Sequence, residues 1–274
     1  MRLNSVSTAS QVKMSKLIRP IPPIVALITD FGLNDGYVAE LKLAIYKVCP
    51  EVKIIDISHN VSAGDIRSAA YLVQRAVKTL PDRAVIIGIV DPGVGSARQA
   101  VIIKTQAKIL VGPDNGLFTR GIDWIMDCQV RIISAKDAEE DVISTTFHGR
   151  DLFGPVAGRL ASGVKFEEVG IPGQLKATFP LRSPVSFKGL WFGEVVYIDR
   201  FGNIITDIPG NLSGDILIDR YHRIHKGENY QAIEPNRLIW LTSSDGNIEI
   251  AAKGRRADRI LSLQVGARIY FQEI

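Results

Sequence analysis

From residue 24 onward the chain alternates short, wholly apolar runs with amphipathic stretches. "IVALIT" (24–29), "VKIIDIS" (52–58) and "AVIIGIV" (84–90) have the length and β-branched content of buried strands. Between them, "GYVAELKLAIYKVCP" and "DIRSAAYLVQRAVKTLP" repeat their apolar positions with a helical period, and Pro50 and Pro81 stop them. Strand and helix in alternation predict right-handed βαβ units and a mostly parallel sheet with helices on its faces. "AVIIKT", "KILVGPD" and "QVRIIS" predict further strands, and "GRDLFGPVAGRLASG" predicts a helix that starts just after His148.

Beyond about residue 184 the texture changes. "LWFGEVVYID", "NIITDI", "DILID", "YHRIHK", "RLIWLT", "NIEIAA" and "ARIYFQEI" are short strand-like runs separated by Gly, Asn, Asp and Pro, with no convincing helix among them. Such spacing predicts a small antiparallel barrel or sandwich. The expected organisation is a leader over 1–22, an α/β N-terminal domain over 23–184 and an all-β C-terminal barrel domain over 185–274, with "LRSPVSFKG" as the linker. The leader is basic, Ser-rich and free of acids. It is expected to be disordered and lacks the apolar core of a secretory signal.

Composition narrows the partners. The 274 residues carry 33 Lys and Arg against 29 Asp and Glu, and the basic residues are scattered, which argues against a nucleic-acid surface. No apolar run reaches the length of a membrane-spanning helix, so no membrane partner is expected. Cys49 and Cys128 lie far apart with no C-x-x-C spacing, which gives neither a thiolate metal site nor a disulfide framework and suits a reducing cytoplasm.

In an open parallel sheet, ligands bind beyond the carboxyl ends of the strands. Three predicted strand ends carry polar groups: Asp30, then Ser58 and His59, then Asp91. The segment "DFGLNDGY" places Asp30 and Asp35 around two glycines; a carboxylate such as Asp30 can accept both hydroxyls of a ribose, whereas Asp35 suits a helix cap. "DPGVGSAR" (91–98) reads as a turn that returns Arg98 toward Asp91. Its G-x-G lacks the third glycine of a dinucleotide fingerprint and is followed by a strand, so a pyrophosphate cradle is not expected. His148 stands at a loop-to-helix junction, where a helix N-terminus disfavours the imidazolium and leaves a neutral base. Asn115 in "GPDNGLF" is a turn residue that could also meet a ligand, and "YIDRFGN" reads as a hairpin or a ligand loop around Asp199 and Asn203.

Taken in order, "TDFGLNDGYVAELK", "DISHNV", "VDPGVGSAR", "GPDNG", "STTFHGRD", "YIDRFGN" and "SSDGNIEIA" resemble the S-adenosyl-L-methionine hydroxide adenosyltransferase family, hydrolytic relatives of the fluorinase and chlorinase enzymes. The resemblance implies hydrolysis of S-adenosyl-L-methionine to adenosine and methionine, with no cofactor and no metal. It also implies a homotrimer whose active sites lie between the N-terminal domain of one subunit and the C-terminal domain of the next. The family's Asp, Arg and His trio, which its halogenating members lack, falls on Asp91, Arg98 and His148, with His148 as the base. By the same resemblance Asp30 holds the ribose hydroxyls, Asp199 the amino group, Asn203 the adenine and Ser244 the carboxylate of the methionine moiety. Asp245 stands where the halogenases carry an arginine for that carboxylate. Three other readings stay open: a metal-dependent phosphohydrolase built on Asp30, Asp35, His59, Asp91 and His148, a non-catalytic nucleoside or S-adenosylmethionine sensor, and a halogenase on the same fold.

Overall fold

A computed structural model describes residues 22–122, 127–139, 141–218, 222–232, 234–235 and 237–273; the expected leader, but for Pro22, lies outside them. The first half is a seven-stranded sheet ordered β2-β1-β3-β5-β4-β6-β7. Its strands are β1 (Ile24–Thr29), β2 (Lys53–Ser58), β3 (Val85–Ile89), β4 (Ala100–Lys104), β5 (Ile109–Pro113), β6 (Gln129–Ile133) and β7 (Ile171–Gly173). Neighbours are parallel from β2 through β5 and antiparallel from there on, so β4 and β7 run against the other strands.

Both faces are covered, which is why the central strands are apolar at every position and not at alternate ones. Helix α1 (Tyr37–Val48) puts Leu41 and Ile45 against Leu27 and Ile87 on one face, and α2 (Ile66–Thr79) puts Ala69 and Val73 against Ile28 and Ile86 on the other. Asp65 caps α2 by accepting from the Ser68 amide at 3.0 Å. Asp35, expected as the cap of α1, makes no such bond; Gly36 holds that position. Two short helices follow, α3 (Thr119–Ile122) and α4 (Ala135–Ala138).

The helix expected after His148 starts with a π turn, Gly149–Phe153, before α5 (Gly154–Ala161). Pro155 has no amide hydrogen to give to Asp151, and the Gly154 amide reaches back five residues to the Gly149 carbonyl instead.

In the second half, β9 (Leu190–Ile198), β10 (Ile204–Pro209), β11 (Ile216–Ile218), β12 (His222–Lys226), β13 (Leu238–Thr242), β14 (Asn247–Ala252) and β15 (Arg268–Glu273) close into a barrel where β9 meets β10. The short β8 (Val185–Phe187) pairs outside the ring on β9, so the predicted linker ends as an edge strand. The barrel departs from the expectation twice. The pair β12 and β13 is parallel, made possible by the long connection between them, and a five-residue helix α6 (Ala257–Leu261) buries Ala257 and Leu261 in the barrel core.

Helix α2 joins the halves. Tyr71 stacks on Tyr197 of β9 with ring centres 4.8 Å apart, and Arg67 and Arg120 both reach Glu194.

Candidate active site

The segment after β3 folds back through two successive turns, closed by the Val94 amide on the Asp91 carbonyl and the Ser96 amide on the Gly93 carbonyl. Gly95 is required here: its φ is +78°, and a Cβ would lie 2.4 Å from the Thr145 carbonyl oxygen. The result returns Arg98 to Asp91. Its Nε lies 3.1 and 3.0 Å from the two carboxylate oxygens and its Nη2 2.5 Å from Oδ2.

The same Nη2 lies 2.7 Å from His148 Nδ1. A guanidinium only donates, so Nδ1 is unprotonated and the neutral ring carries its hydrogen on Nε2. Burial and then the Arg98 charge push the His148 pKa below its usual value. The imidazole is thus neutral, as the sequence suggests, but for different reasons, and the nitrogen a base would use is already taken. Phe153, one turn along, meets the His148 ring edge-on and lies under the Arg98 guanidinium.

Asp91 and His148 line a cavity of ≈ 370 Å³ together with Asp30, Phe31, Ala63, Gly64, Val94 and Phe147. That volume lies in the range of small-ligand pockets. Asp30 accepts the Gly64 amide on Oδ2 at 2.9 Å, which leaves Oδ1 facing no protein donor among the described residues. His59, at the end of β2, does not join the cavity. It is buried, with Nδ1 2.8 Å from the Thr29 hydroxyl and Nε2 3.1 Å from Asp56 Oδ1, and its carbonyl accepts the Gly32 amide. It ties the ends of β1 and β2 together.

Asn115 is engaged in the fold: its side chain donates to the Val90 carbonyl and accepts the Leu117 amide. Asp199 accepts the amides of Phe201 and Asn203 and the Asn203 side chain, closing the β9–β10 hairpin over Gly202. Ser244, at the tip of the β13–β14 hairpin, meets Arg75 of α2 at 3.2 Å. None of Asp199, Asn203 and Ser244 lines the cavity that holds Asp91 and His148. Sequence reasoning missed Arg75, because a polar residue on an amphipathic helix gives no signal beyond a solvated face.

Of the groups suggested for a metal, Asp91 and His148 are committed to Arg98 and His59 to the strand ends. Among the described residues no group of three or more His, Cys, Asp or Glu could hold a metal ion, and no helix is long and apolar enough to cross a membrane.

Comparison with known proteins gives one consistent result. Residues 25–170 match the family model of the SAM hydroxide adenosyltransferase N-terminal domain, and residues 193–270 that of the C-terminal domain. An (R)-S-adenosyl-L-methionine hydrolase from Salinispora tropica is 33% identical over 90% of this chain and 97% of its own. A fluorinase from Nocardia brasiliensis is 26% identical over 68% of this chain and 71% of its own. A crystal structure of an uncharacterized conserved protein from Thermotoga maritima superposes with a TM-score of 0.83 at 30% identity, covering 90% of this chain and 99% of that one.

Proposed function

The chain belongs to the SAM hydroxide adenosyltransferase family, and from that premise we propose that it hydrolyses S-adenosyl-L-methionine to adenosine and L-methionine. The observation that carries the reading is Arg98 bridging Asp91 and His148 at the wall of a cavity that also holds Asp30.

The chemistry places its demand on the nucleophile. Attack at C5′ forms a C–O bond and breaks the C5′–S bond, whose electron pair leaves on a neutral thioether, so the leaving group needs no acid and the reaction no metal or cofactor. Water, with a pKa near 15.7, must give up a proton. Asp91 retains free lone pairs beside the Arg98 fork and takes that proton, while Arg98 and the His148 Nε2 hydrogen stabilise the developing hydroxide. We propose Asp91 as the base in place of His148, a choice supported by the contact of Arg98 with His148 Nδ1. A positioned base is worth about 10² to 10⁴-fold in rate. Asp30 accepts the ribose hydroxyls on its open oxygen.

Asp199 and Ser244 bind the amino and carboxylate groups of the methionine moiety, and Asn203 the adenine. They meet the cavity in a homotrimer, across a subunit boundary. The split of the predicted groups between two places on one chain supports this, as do the exposed Leu33 and Tyr37 on the loop and helix beside the cavity. The free thiols Cys49 and Cys128 suit the cytoplasm, where we place the activity.

The test is mass spectrometry of the protein with S-adenosyl-L-methionine in ¹⁸O-water, with and without chloride and a chelator. Labelled adenosine, unaffected by either addition, is expected. Binding without product would leave a sensor, a halogenated nucleoside would make it a halogenase, and loss of product with chelator would return the metal reading.

A further inference from the structure

We infer that Arg75 supplies the cationic contact for the carboxylate of the substrate's amino-acid moiety, with Asp245 as the clamp that aims it. The inference rests on the reading above, in which Ser244 meets that carboxylate.

Arg75 projects from α2 to the tip of the β13–β14 hairpin, 170 residues away. Its Nη1 lies 2.5 Å from Asp245 Oδ2 and 3.2 Å from Ser244 Oγ. The Tyr71 hydroxyl donates to the same Asp245 oxygen at 2.7 Å, so that carboxylate is held from two sides. Burial and then the Asp245 contact raise the Tyr71 pKa, which keeps the phenol protonated and donating. Only one nitrogen of the guanidinium is used. Nε and Nη2 have no partner among the described residues, and together they form the planar fork that fits a carboxylate.

Three features make this more than a pair between domains. A bare Asp245 beside Ser244 would repel a substrate carboxylate, and Arg75 cancels that charge. The Ser244 hydroxyl lies against the same guanidinium, so a hydroxyl and a cation meet at one hairpin tip. The seam also runs on toward the other end of an amino acid: Tyr71 stacks on Tyr197, and the Asp199 charge, after burial, raises the Tyr197 pKa. The helix-to-barrel contact that holds Asp245 thus continues to a tyrosine two positions from Asp199.

The experiment compares kcat/KM for S-adenosyl-L-methionine with that for decarboxylated S-adenosylmethionine, in which hydrogen replaces the carboxylate. In Arg75→Met the preference for the carboxylated substrate falls roughly 10- to 100-fold, as expected for a hydrogen-bonded charge pair. The double variant Arg75→Met with Asp245→Asn shows the same collapse, and Arg75→Lys restores part of the preference. Because both substrates are read on one preparation, partial misfolding cancels. Equal losses on both substrates would reduce Arg75 to a structural tie, and a collapse absent from the double variant would assign the effect to an unmasked Asp245. Either result overturns the inference. If the wild-type protein forms no adenosine at all, the hydrolase reading itself falls and this inference with it.

Discussion

The end of β3 and two hairpins of the barrel carry the two halves of the same proposed site, yet they are built differently. At the β3 end, Asp91, Arg98 and His148 already touch, their side chains are mostly buried, and a glycine turn fixes the geometry. On the barrel, Asp199 and Asn203 satisfy one another inside a hairpin, and Ser244 is held by a helix of the other domain. The groups proposed for the chemical step are assembled within one chain. Those proposed for recognition are placed on hairpins and do not line that cavity. Preorganised polar groups raise the rate of the chemical step, whereas groups that meet substrate on assembly contribute mainly to binding.

The difference can be broken first at Arg98. Arg98→Met removes the donor to both Asp91 and His148, and kcat is expected to fall about 10³ to 10⁴-fold with KM little changed. Steady-state kinetics decide it, and a large rise in KM alone would place Arg98 in binding. Asp199→Ala tests the opposite half. KM is expected to rise about 10- to 100-fold, the cost of one charged hydrogen bond, with kcat falling less. A kcat effect as large as that of Arg98→Met would erase the distinction.

The smallest effect sharpens it. The proposed mechanism uses neutral His148, whose pKa is depressed by burial and by Arg98, so protonation sets in only below the ordinary histidine range. The rate is therefore expected to stay nearly flat as pH falls through about 6.5 and to decline only at more acid pH. A pH profile of kcat that halves at or above the ordinary value would show an unperturbed imidazole.

Much of this was legible in the residues. The Asp91 to Arg98 return spans seven positions, and Pro92, Gly93 and Gly95 have the backbone preferences that make it, so the pair could be read locally. The π turn was hidden although its cause, Pro155, is in plain sight, because the pattern of apolar positions is nearly the same for either helix. The Asp35 cap failed for a related reason: a capping residue type is common in loops, and only the backbone path says whether its side chain reaches an amide.

The sequence by itself determined the alternation that builds a covered sheet, the closely spaced strands that build a barrel, and the strand ends that carry Asp30 and Asp91. These follow from burial period and backbone preference, which act over a few residues. Only the tertiary structure decided which nitrogen of His148 is occupied, that His59 is buried outside the cavity lining, and that Arg75 meets Asp245 and Ser244. Those placements rest on contacts between residues 30 or more positions apart or on the direction of one hydrogen bond. A local pattern encodes whether a side chain is buried, but the partner it faces is set by how whole elements dock.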